Sequence, residues 1–278
     1  YTYTYSTIDS VSRLTQVKAE TKTGGTWASP TGLAEVGKVD YAYYQTGDNT
    51  YGDNGNLKLV TTTMPLTDSG VNDIRRTYYR YWKGTFNAST NPGHPNTIQY
   101  VMHPEGTRAF DWTDSDLTDA DFLTASESSI KPYSSHSFEY DSSYRISEVF
   151  ANGECGCSGG SNGVHTLTYG VSSYTNGAAR RTVVARPDGT YQTVYFTSSG
   201  EVNASVLTDG DPTGSPNKNV TEFIRDGDGR VTSIRTPASN TGYTHSTGAF
   251  TASTSAGLVR VLGRVGGGHA AGFMDVQG

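Results

Sequence analysis

Aromatic and polar residues alternate in the first five positions of the chain. Tyr1, Tyr3 and Tyr5 alternate with threonines, and because successive side chains of a strand point to opposite faces, this predicts a strand with one aromatic face. Similar alternation recurs at 78–82, 138–140, 167–169 and 191–195. Long helical periodicity is absent, and the best helix candidate is the short acidic segment 111–123. The pattern predicts an all-β chain of short strands.

A recurring motif lies between the predicted strands. The pattern Asp-x-x-x-Arg-apolar-x-x-apolar occurs three times. A degenerate copy begins at Gly52, and a looser copy covers 196–206. The first four copies start at 9, 52, 141 and 226. The separations between successive starts are close to one, two and two units of about 43 residues, a period typical of repeat proteins. The motif residues of the three full copies are Asp9 and Arg13, Asp141 and Arg145, and Asp226 and Arg230.

Each copy of the motif predicts a β-hairpin. The aspartate ends one strand and bonds the backbone across the turn, and the arginine opens the next strand. Gly55, Gly200 and Gly229 supply the left-handed conformation that a tight turn needs, whereas Ser12 and Tyr144 replace that glycine in two copies. One hairpin cannot bury its face alone, so stacked hairpins forming a long antiparallel sheet are expected.

Composition and charge narrow the functional classes. Hydrophobic residues are only 34% of the chain, but 19 Tyr, 9 Phe and 3 Trp supply enough large rings to exclude disorder. A net charge of −6 disfavours nucleic-acid binding, and no apolar run approaches the roughly 20 residues of a membrane span. The bias toward Thr, Ser, Asn, Gly and Tyr favours an extracellular or cell-surface protein. The first residue, Tyr1, predicts a mature product or a fragment.

Two motif copies carry a family resemblance. Residues 138–145 (FEYDSSYR) and 225–230 (RDGDGR) resemble the YD repeat, Tyr-Asp-x-x-Gly-Arg, and 186–196 is similar to the RHS pattern of a turn followed by a Thr/Tyr strand. The chain thus resembles the RHS/YD-repeat family of large bacterial secreted proteins over 1–262. The resemblance implies a curved or spiralling sheet of stacked hairpins, closed into a hollow shell in the best-known members. The family's self-cleavage region is not recognisable.

Three segments are expected to depart from the repeats. The acidic segment 111–123 and the cysteine-containing segment 151–163 are predicted loop insertions. The final segment 263–278, with three consecutive glycines, is predicted to be an extended arm or linker.

The two cysteines are the first candidates for chemistry. Cys155 and Cys157 are one residue apart, which suits an ordinary disulfide poorly. They remain candidates for a strained local disulfide, for bridges to a neighbouring copy, or for a soft-metal site completed by His165. Four ligands at zinc spacing are absent, so no cofactor or metal is expected.

The remaining motifs are aspartate clusters, scattered histidines and glycosylation sequons, and none of them predicts a catalytic site. The aspartates of 111–121 and of Asp226-Gly-Asp228 offer oxygen ligands for calcium, but the spacing of a calcium-binding loop is missing, so a solvated loop and a turn are predicted. No catalytic motif appears among the scattered histidines. The N-glycosylation sequons are at Asn87, Asn203 and Asn219.

Three functions follow from these features. The leading hypothesis is a non-catalytic structural protein that self-associates through exposed strand edges into a wall, fibre or tube. An alternative is a shell segment of a toxin-delivery protein that encloses another polypeptide. A second alternative is an adhesion module, in which exposed rings such as Tyr81 and Trp82 stack on surface glycans.

Overall fold

The computed structural model describes residues 1–25, 30–47, 49–65, 72–111, 125–151, 163–214, 216–252, 259–265 and 269–276. The residues form two compact units, Tyr1–Glu154 and Cys155–Gly278. The boundary between the units lies within the predicted cysteine loop, 151–163. Strands dominate both units, and the predicted all-β class of stacked antiparallel hairpins is confirmed.

The first unit is a run of strands in which each pairs antiparallel with the next along the chain. Because each strand pairs with its neighbour in sequence, the pairing follows sequence order without crossovers. The strands are β1 (Thr2–Ile8), β2 (Val11–Gly25), β3 (Pro30–Tyr43), β4 (Leu57–Pro65), β5 (Asn72–Tyr81), β6 (Ile98–Met102), β7 (His136–Tyr140) and β8 (Ile146–Ala151).

A helical insertion between β6 and β7 covers part of one face of this sheet. It contains α1 (Pro104–Asp111), α2 (Glu127–Ile130) and a 3₁₀ turn, Lys131–Tyr133. The Ser126 side chain caps α2 by accepting from the Ser129 N–H at 3.2 Å. The insertion and the sheet bury a common core of Leu59, Tyr78, Tyr100, Met102 and Ile130.

The helix α1 directly precedes the predicted acidic helix, 111–123. It ends at Asp111, where that prediction begins, and 112–124 lies outside the described residues, so the acidic helix stays a prediction. Pro104 starts α1 because its fixed φ suits the first helical turn, where a missing N–H costs nothing. The Thr107 hydroxyl fastens α1 to β5 by donating to the Arg76 carbonyl at 3.0 Å.

The second unit repeats the hairpin arrangement. Each strand from β9 to β14 pairs antiparallel with the next, and β14 pairs with β17, which pairs with β18. The strands are β9 (Val164–Val171), β10 (Arg180–Ala185), β11 (Tyr191–Phe196), β12 (Val202–Thr208), β13 (Lys218–Arg225), β14 (Val231–Arg235), β17 (Val259–Val265) and β18 (His269–Val276).

A separate hairpin of β15 (Asn240–Thr244) and β16 (Ala249–Ala252) supplies a second layer in this unit. Tyr243 and Phe250 on the hairpin pack against a buried cluster on the sheet. The alternation of β11 explains this, because Thr193 and Tyr195 point to the same face and are both fully buried. The buried cluster consists of Tyr174, Ala178, Tyr195, Ala204, Val206 and Val220.

The predicted C-terminal arm is the main departure from the expected organisation. Of this segment, 263–265 form the end of β17 and 269–276 form β18, and the two strands pair from Val259↔Val276 to Val265↔His269. Glycine-rich composition favoured a linker, but antiparallel pairing satisfies the backbone of these described residues.

Candidate functional site

Five loops of the described chain share one turn geometry. In each, the N–H of the first residue donates to the carbonyl of the fifth, and the N–H of the fourth donates to the carbonyl of the first. This is a type I turn followed by a left-handed residue, the three-residue hairpin loop that matches strand twist. The loops are 141–145, 174–178, 186–190, 197–201 and 226–230.

The fourth loop position requires a positive φ. Four loops place glycine there, with φ between 79° and 93°, where the absence of a Cβ removes the steric cost. In the remaining loop Tyr144 takes φ 63°, a conformation that costs a bulky residue about 1–2 kcal/mol. The Tyr144 ring stacks on the buried His94 ring, with centroids 3.6 Å apart, and this contact offsets part of that cost.

The repeated aspartate has the same task in two loops. Asp141 Oδ1 accepts from the Ser143 and Arg145 N–H groups at 2.8 and 3.0 Å. Asp226 Oδ1 accepts from the N–H groups of the third and fifth loop residues at 3.0 and 2.9 Å. The carboxylate thereby holds the turn closed from inside, as Asx turns do.

The repeated arginine makes a different contact in each of the two loops. Arg145 folds back on its own loop, and its Nε donates to Asp141 Oδ2 at 2.8 Å. Arg230 instead pairs with Asp228, at 2.9 Å and on an exposed surface, where ion pairs contribute little. Both arginines immediately precede the next strand, as the motif predicts.

We expect Asp141→Ala to lower the free energy of unfolding of the first unit by about 1 kcal/mol, because two backbone donors and the Arg145 ion pair lose their acceptor. Burial alone would raise the pKa of Asp141, but hydrogen bonds from the Arg145 side chain and from the Arg145 and Ser143 N–H groups outweigh it and hold the pKa below the ordinary 3.8. The carboxylate therefore stabilises the fold above about pH 4, and this contribution is lost as the pH falls through the lowered pKa.

Urea unfolding followed by tryptophan fluorescence measures this effect, because all three tryptophans (27, 82 and 112) lie in the first unit. Ser142→Ala, an exposed change in the same loop, serves as the control and should alter stability by less than about 0.5 kcal/mol. Equal midpoints for Asp141→Ala and Ser142→Ala at pH 7 would show that the aspartate does not hold the turn.

The first motif copy does not have the predicted turn. Asp9 and Ser10 both take positive φ, 50° and 65°, and form a two-residue turn between Ile8 and Val11, which pair. Ser12 is therefore in β2, not in the turn, and Arg13 does not open the strand. The Arg13 guanidinium lies 5.5 Å from the centre of the Tyr43 ring.

The fourth copy, at 52–56, has its left-handed glycine as predicted. Gly55 has φ 84°, and its N–H donates to the Tyr44 carbonyl at 2.8 Å. A Cβ at Gly55 would lie 2.0 Å from the Arg13 Nη2 atom. The glycine thus serves both the turn and the close approach of Arg13 from the first copy.

The strand β1 forms an exposed edge in the first unit. It pairs with β2 on one side, and among the described residues no strand pairs with its other side. Tyr1, Tyr3 and Tyr5 are 87%, 57% and 60% exposed, so the predicted aromatic face lies on the surface. The strand contains no proline and no charged residue, two features that natural edges use against pairing.

The predicted metal and calcium ligands do not form a metal site in the part of the chain that the structure describes. Cys155 and Cys157, with their disulfide and metal predictions, lie outside the described residues, and His165 is on β9. Over the described ranges, no three His, Cys, Asp or Glu side chains come together as a metal site. Asp226 and Asp228 belong to the β13–β14 turn, where Asp226 is occupied by backbone donors.

The three sequons differ in accessibility. Asn87 is exposed in the β5–β6 loop, where its side chain accepts from the Ser89 N–H at 2.9 Å. Asn219 is exposed on β13. Asn203 is half-buried, and its amide donates to the Asn176 carbonyl at 2.6 Å, so a glycan there would require that bond to break.

The rings predicted to stack on glycans are not on the surface. Tyr81 is only 9% exposed, and its hydroxyl donates to the Leu57 carbonyl at 3.0 Å. Trp82 is half-buried, with its indole N–H donating to the Phe138 carbonyl at 2.8 Å. The contiguous aromatic sequence suggested a surface platform, but the hydroxyl of Tyr81 and the indole of Trp82 each bond to the backbone of a neighbouring segment.

A hydrogen-bonded cluster in the second unit is not evident from the sequence. The Tyr243 hydroxyl lies 2.9 Å from the Tyr195 hydroxyl and 2.9 Å from His245 Nδ1. Arg181 Nη1 donates to the His245 carbonyl at 2.5 Å. The members of the cluster come from β10, β11 and the β15–β16 hairpin, which are far apart in sequence. The only sequence signal for the cluster is the two-residue spacing of Tyr243 and His245.

This cluster has strongly perturbed protonation equilibria. Burial and the neighbouring Tyr195 hydroxyl raise the pKa of Tyr243 far above its ordinary value. Burial and the Arg181 guanidinium lower the pKa of His245, against a smaller raising effect of Asp211. At neutral pH the phenol is therefore protonated and the imidazole is neutral.

No protein-family model matches the chain, and no curated protein matches it. In the described part of the chain, no helix is long and apolar enough to cross a membrane.

Proposed function

We propose that the chain is a secreted, non-catalytic structural protein whose hairpin sheets self-associate through β1. The observation that carries this proposal is the edge of β1, with six of its seven residues exposed, among them Tyr3 and Tyr5, and with the exposed Tyr1 directly before it. An edge strand offers a line of backbone donors and acceptors for another strand to pair with. The threonine- and tyrosine-rich composition, which favours an extracellular location, supports the same proposal.

The partner proposed for β1 is the β1 strand of a second copy. Two antiparallel copies related by a twofold axis place residue i of one strand opposite residue j of the other, and j opposite i, so a register with Tyr3 opposite Tyr5 makes one alternating strand complement itself. Tyrosines would then meet tyrosines across the junction, and such aromatic cross-strand pairs contribute about 0.2–1 kcal/mol each. The β1–β2 ladder contains one irregularity, but its extra residue, Thr15, is on β2, so β1 remains free to pair.

The test is the assembly state of the full chain. We expect light scattering after size exclusion to show concentration-dependent association, and Tyr3→Lys with Tyr5→Lys to shift the chain toward the monomer, because opposed lysines repel across the junction. Val171→Lys, which places a charge on a residue 75% exposed in the second unit, controls for added charge.

Electron microscopy of the same samples distinguishes fibres from dimers. A chain that is monomeric at every concentration, or association that the two β1 lysines leave unchanged, would contradict the proposal. Association lost equally with Val171→Lys would assign the effect to net charge.

A further inference from the structure

A pocket in the second unit lies beside the Tyr243–His245 pair. It has a volume of about 300 Å³ and opens between the β12–β13 loop and the β15–β16 hairpin. A pocket of this size accommodates a ligand near the lower limit of typical small-molecule sites. Its principal lining residues are Pro212, Thr213, Pro216, Lys218, Tyr243 and His245.

The polar side chains of the pocket are held in place by hydrogen bonds to one another and to the backbone of the lining residues. His245 is fixed by the 2.9 Å bond from its Nδ1 to the Tyr243 hydroxyl. Its other ring nitrogen, Nε2, has no hydrogen-bond partner among the described residues, so Nε2 is available to a ligand. Because the imidazole is neutral, Nε2 serves as donor or acceptor according to the tautomer, and a ligand hydroxyl satisfies either one.

The Lys218 ammonium supplies the positive charge of the pocket. Its Nζ donates to the Tyr243 carbonyl at 3.2 Å, which holds the ammonium at the pocket and leaves two of its three N–H donors unused. The carboxylate of Asp211, in the β12–β13 loop, accepts from the Thr213 N–H and hydroxyl through Oδ1 at 2.8 and 2.7 Å. The negative charge of Asp211 offsets part of the attraction between Lys218 and an anionic ligand, so the pocket prefers an anionic ligand over a neutral one only modestly.

The walls of the pocket combine this polarity with apolar rings. Pro212, Pro216 and Tyr243, whose side chains are rings, also line the pocket. Sugar rings have an apolar face and a hydroxyl-bearing rim, which such a mixed lining matches. The required ligand therefore has a carboxylate for Lys218, hydroxyls for His245, and a ring for the walls.

We propose that this pocket binds a sugar acid of the size of a hexuronic acid, either free or as a residue of an acidic polysaccharide. The proposal is independent of self-association through β1, because the pocket and β1 lie in different units. It assigns the second unit a recognition role that a purely structural protein would lack.

Ligand-observed NMR and calorimetric titration of the full chain test the proposal with glucuronate, glucose and acetate. We expect glucuronate to bind about threefold more tightly than glucose, the gain of one exposed ion pair, and acetate to show no saturable binding. Lys218→Gln should abolish the preference for glucuronate while glucose binding persists. Lys131→Gln, an exposed lysine of the first unit, should leave all titrations unchanged.

His245→Gln tests the second polar group and should weaken glucuronate and glucose equally. A trimeric uronide extends the test to the source of the ligand: tighter binding than the monomer indicates a polysaccharide, and equal binding indicates a free sugar acid. Absence of sugar binding, acetate binding as tight as glucuronate, or an unchanged preference in Lys218→Gln would each overturn the proposal.

Discussion

Arg80→Ala is expected to lower the free energy of unfolding of the first unit by about 3–5 kcal/mol. Arg80 is completely buried on β5. Its Nε donates to the Tyr78 hydroxyl at 3.1 Å and its Nη2 to the Ala125 carbonyl at 2.6 Å. Its guanidinium lies 3.6 Å from the centre of the Tyr51 ring. Alanine removes these contacts together and leaves a cavity, and the Ala125 carbonyl and the Tyr78 hydroxyl each lose one donor.

The size of this effect follows from what Arg80 connects. Tyr51 belongs to a 3₁₀ turn before β4, and Ala125 directly precedes the insertion helix α2. The Tyr51 hydroxyl also donates to the Ala125 carbonyl, at 3.2 Å. Arg80 thus fastens two separate connections to the sheet, and both should loosen in the variant. A typical domain has only about 5–15 kcal/mol of total stability, so this loss is a large fraction of it.

Urea unfolding followed by tryptophan fluorescence measures the change in the first unit alone. Arg75→Ala on the same strand is the matched control, because Arg75 is exposed and its ion pair among the described residues is with Asp73 at the surface; the variant should cost less than about 0.5 kcal/mol. Arg80→Met fills part of the volume without donors and should fall between the two. A midpoint for Arg80→Ala equal to that of Arg75→Ala would contradict the prediction.

The hairpin fold was predictable because its signals are local. The loop at 226–230 needs an aspartate at its first position and glycine at its fourth, and both lie within five residues of sequence. The same local logic found the loop at 141–145, although Tyr144 occupies the glycine position. It failed at the first copy, where Asp9 and Ser10 form a shorter turn that the aspartate–arginine spacing does not distinguish.

The functional residues were harder to predict because they depend on contacts between distant segments. Arg80 looked like one residue of an aromatic strand, and only the insertion after β6 makes its environment buried. Tyr195 and Tyr243 are in contact because the β15–β16 hairpin packs over β11. The hydrophobic periodicity of the sequence does not predict that packing. Alternation predicts which face of a strand a residue occupies, but not what covers that face.

Tyr195→Ala is expected to destabilise the second unit by about 3–5 kcal/mol, the range for removing a buried aromatic ring. Tyr195 is fully buried. Its ring makes edge contacts with Tyr174, Tyr243 and Phe250 at centroid distances of 5.2, 6.3 and 5.9 Å. Two of these partners lie on the β15–β16 hairpin, so the change should release the hairpin from the sheet before the sheet itself unfolds.

Amide hydrogen exchange resolved by peptide measures this release, because a loss of 3 kcal/mol in local stability raises exchange more than about a hundredfold. Peptides covering 240–252 should show the increase in Tyr195→Ala. Tyr195→Phe keeps the ring contacts and loses only the hydroxyl that meets Tyr243, so it should cost about 1 kcal/mol. Tyr191→Ala, a half-exposed position on the same strand, should leave exchange of the hairpin unchanged. Equal exchange of 240–252 in Tyr195→Ala and Tyr191→Ala would mean that the hairpin is held by its own pairing and not by the buried ring beneath it.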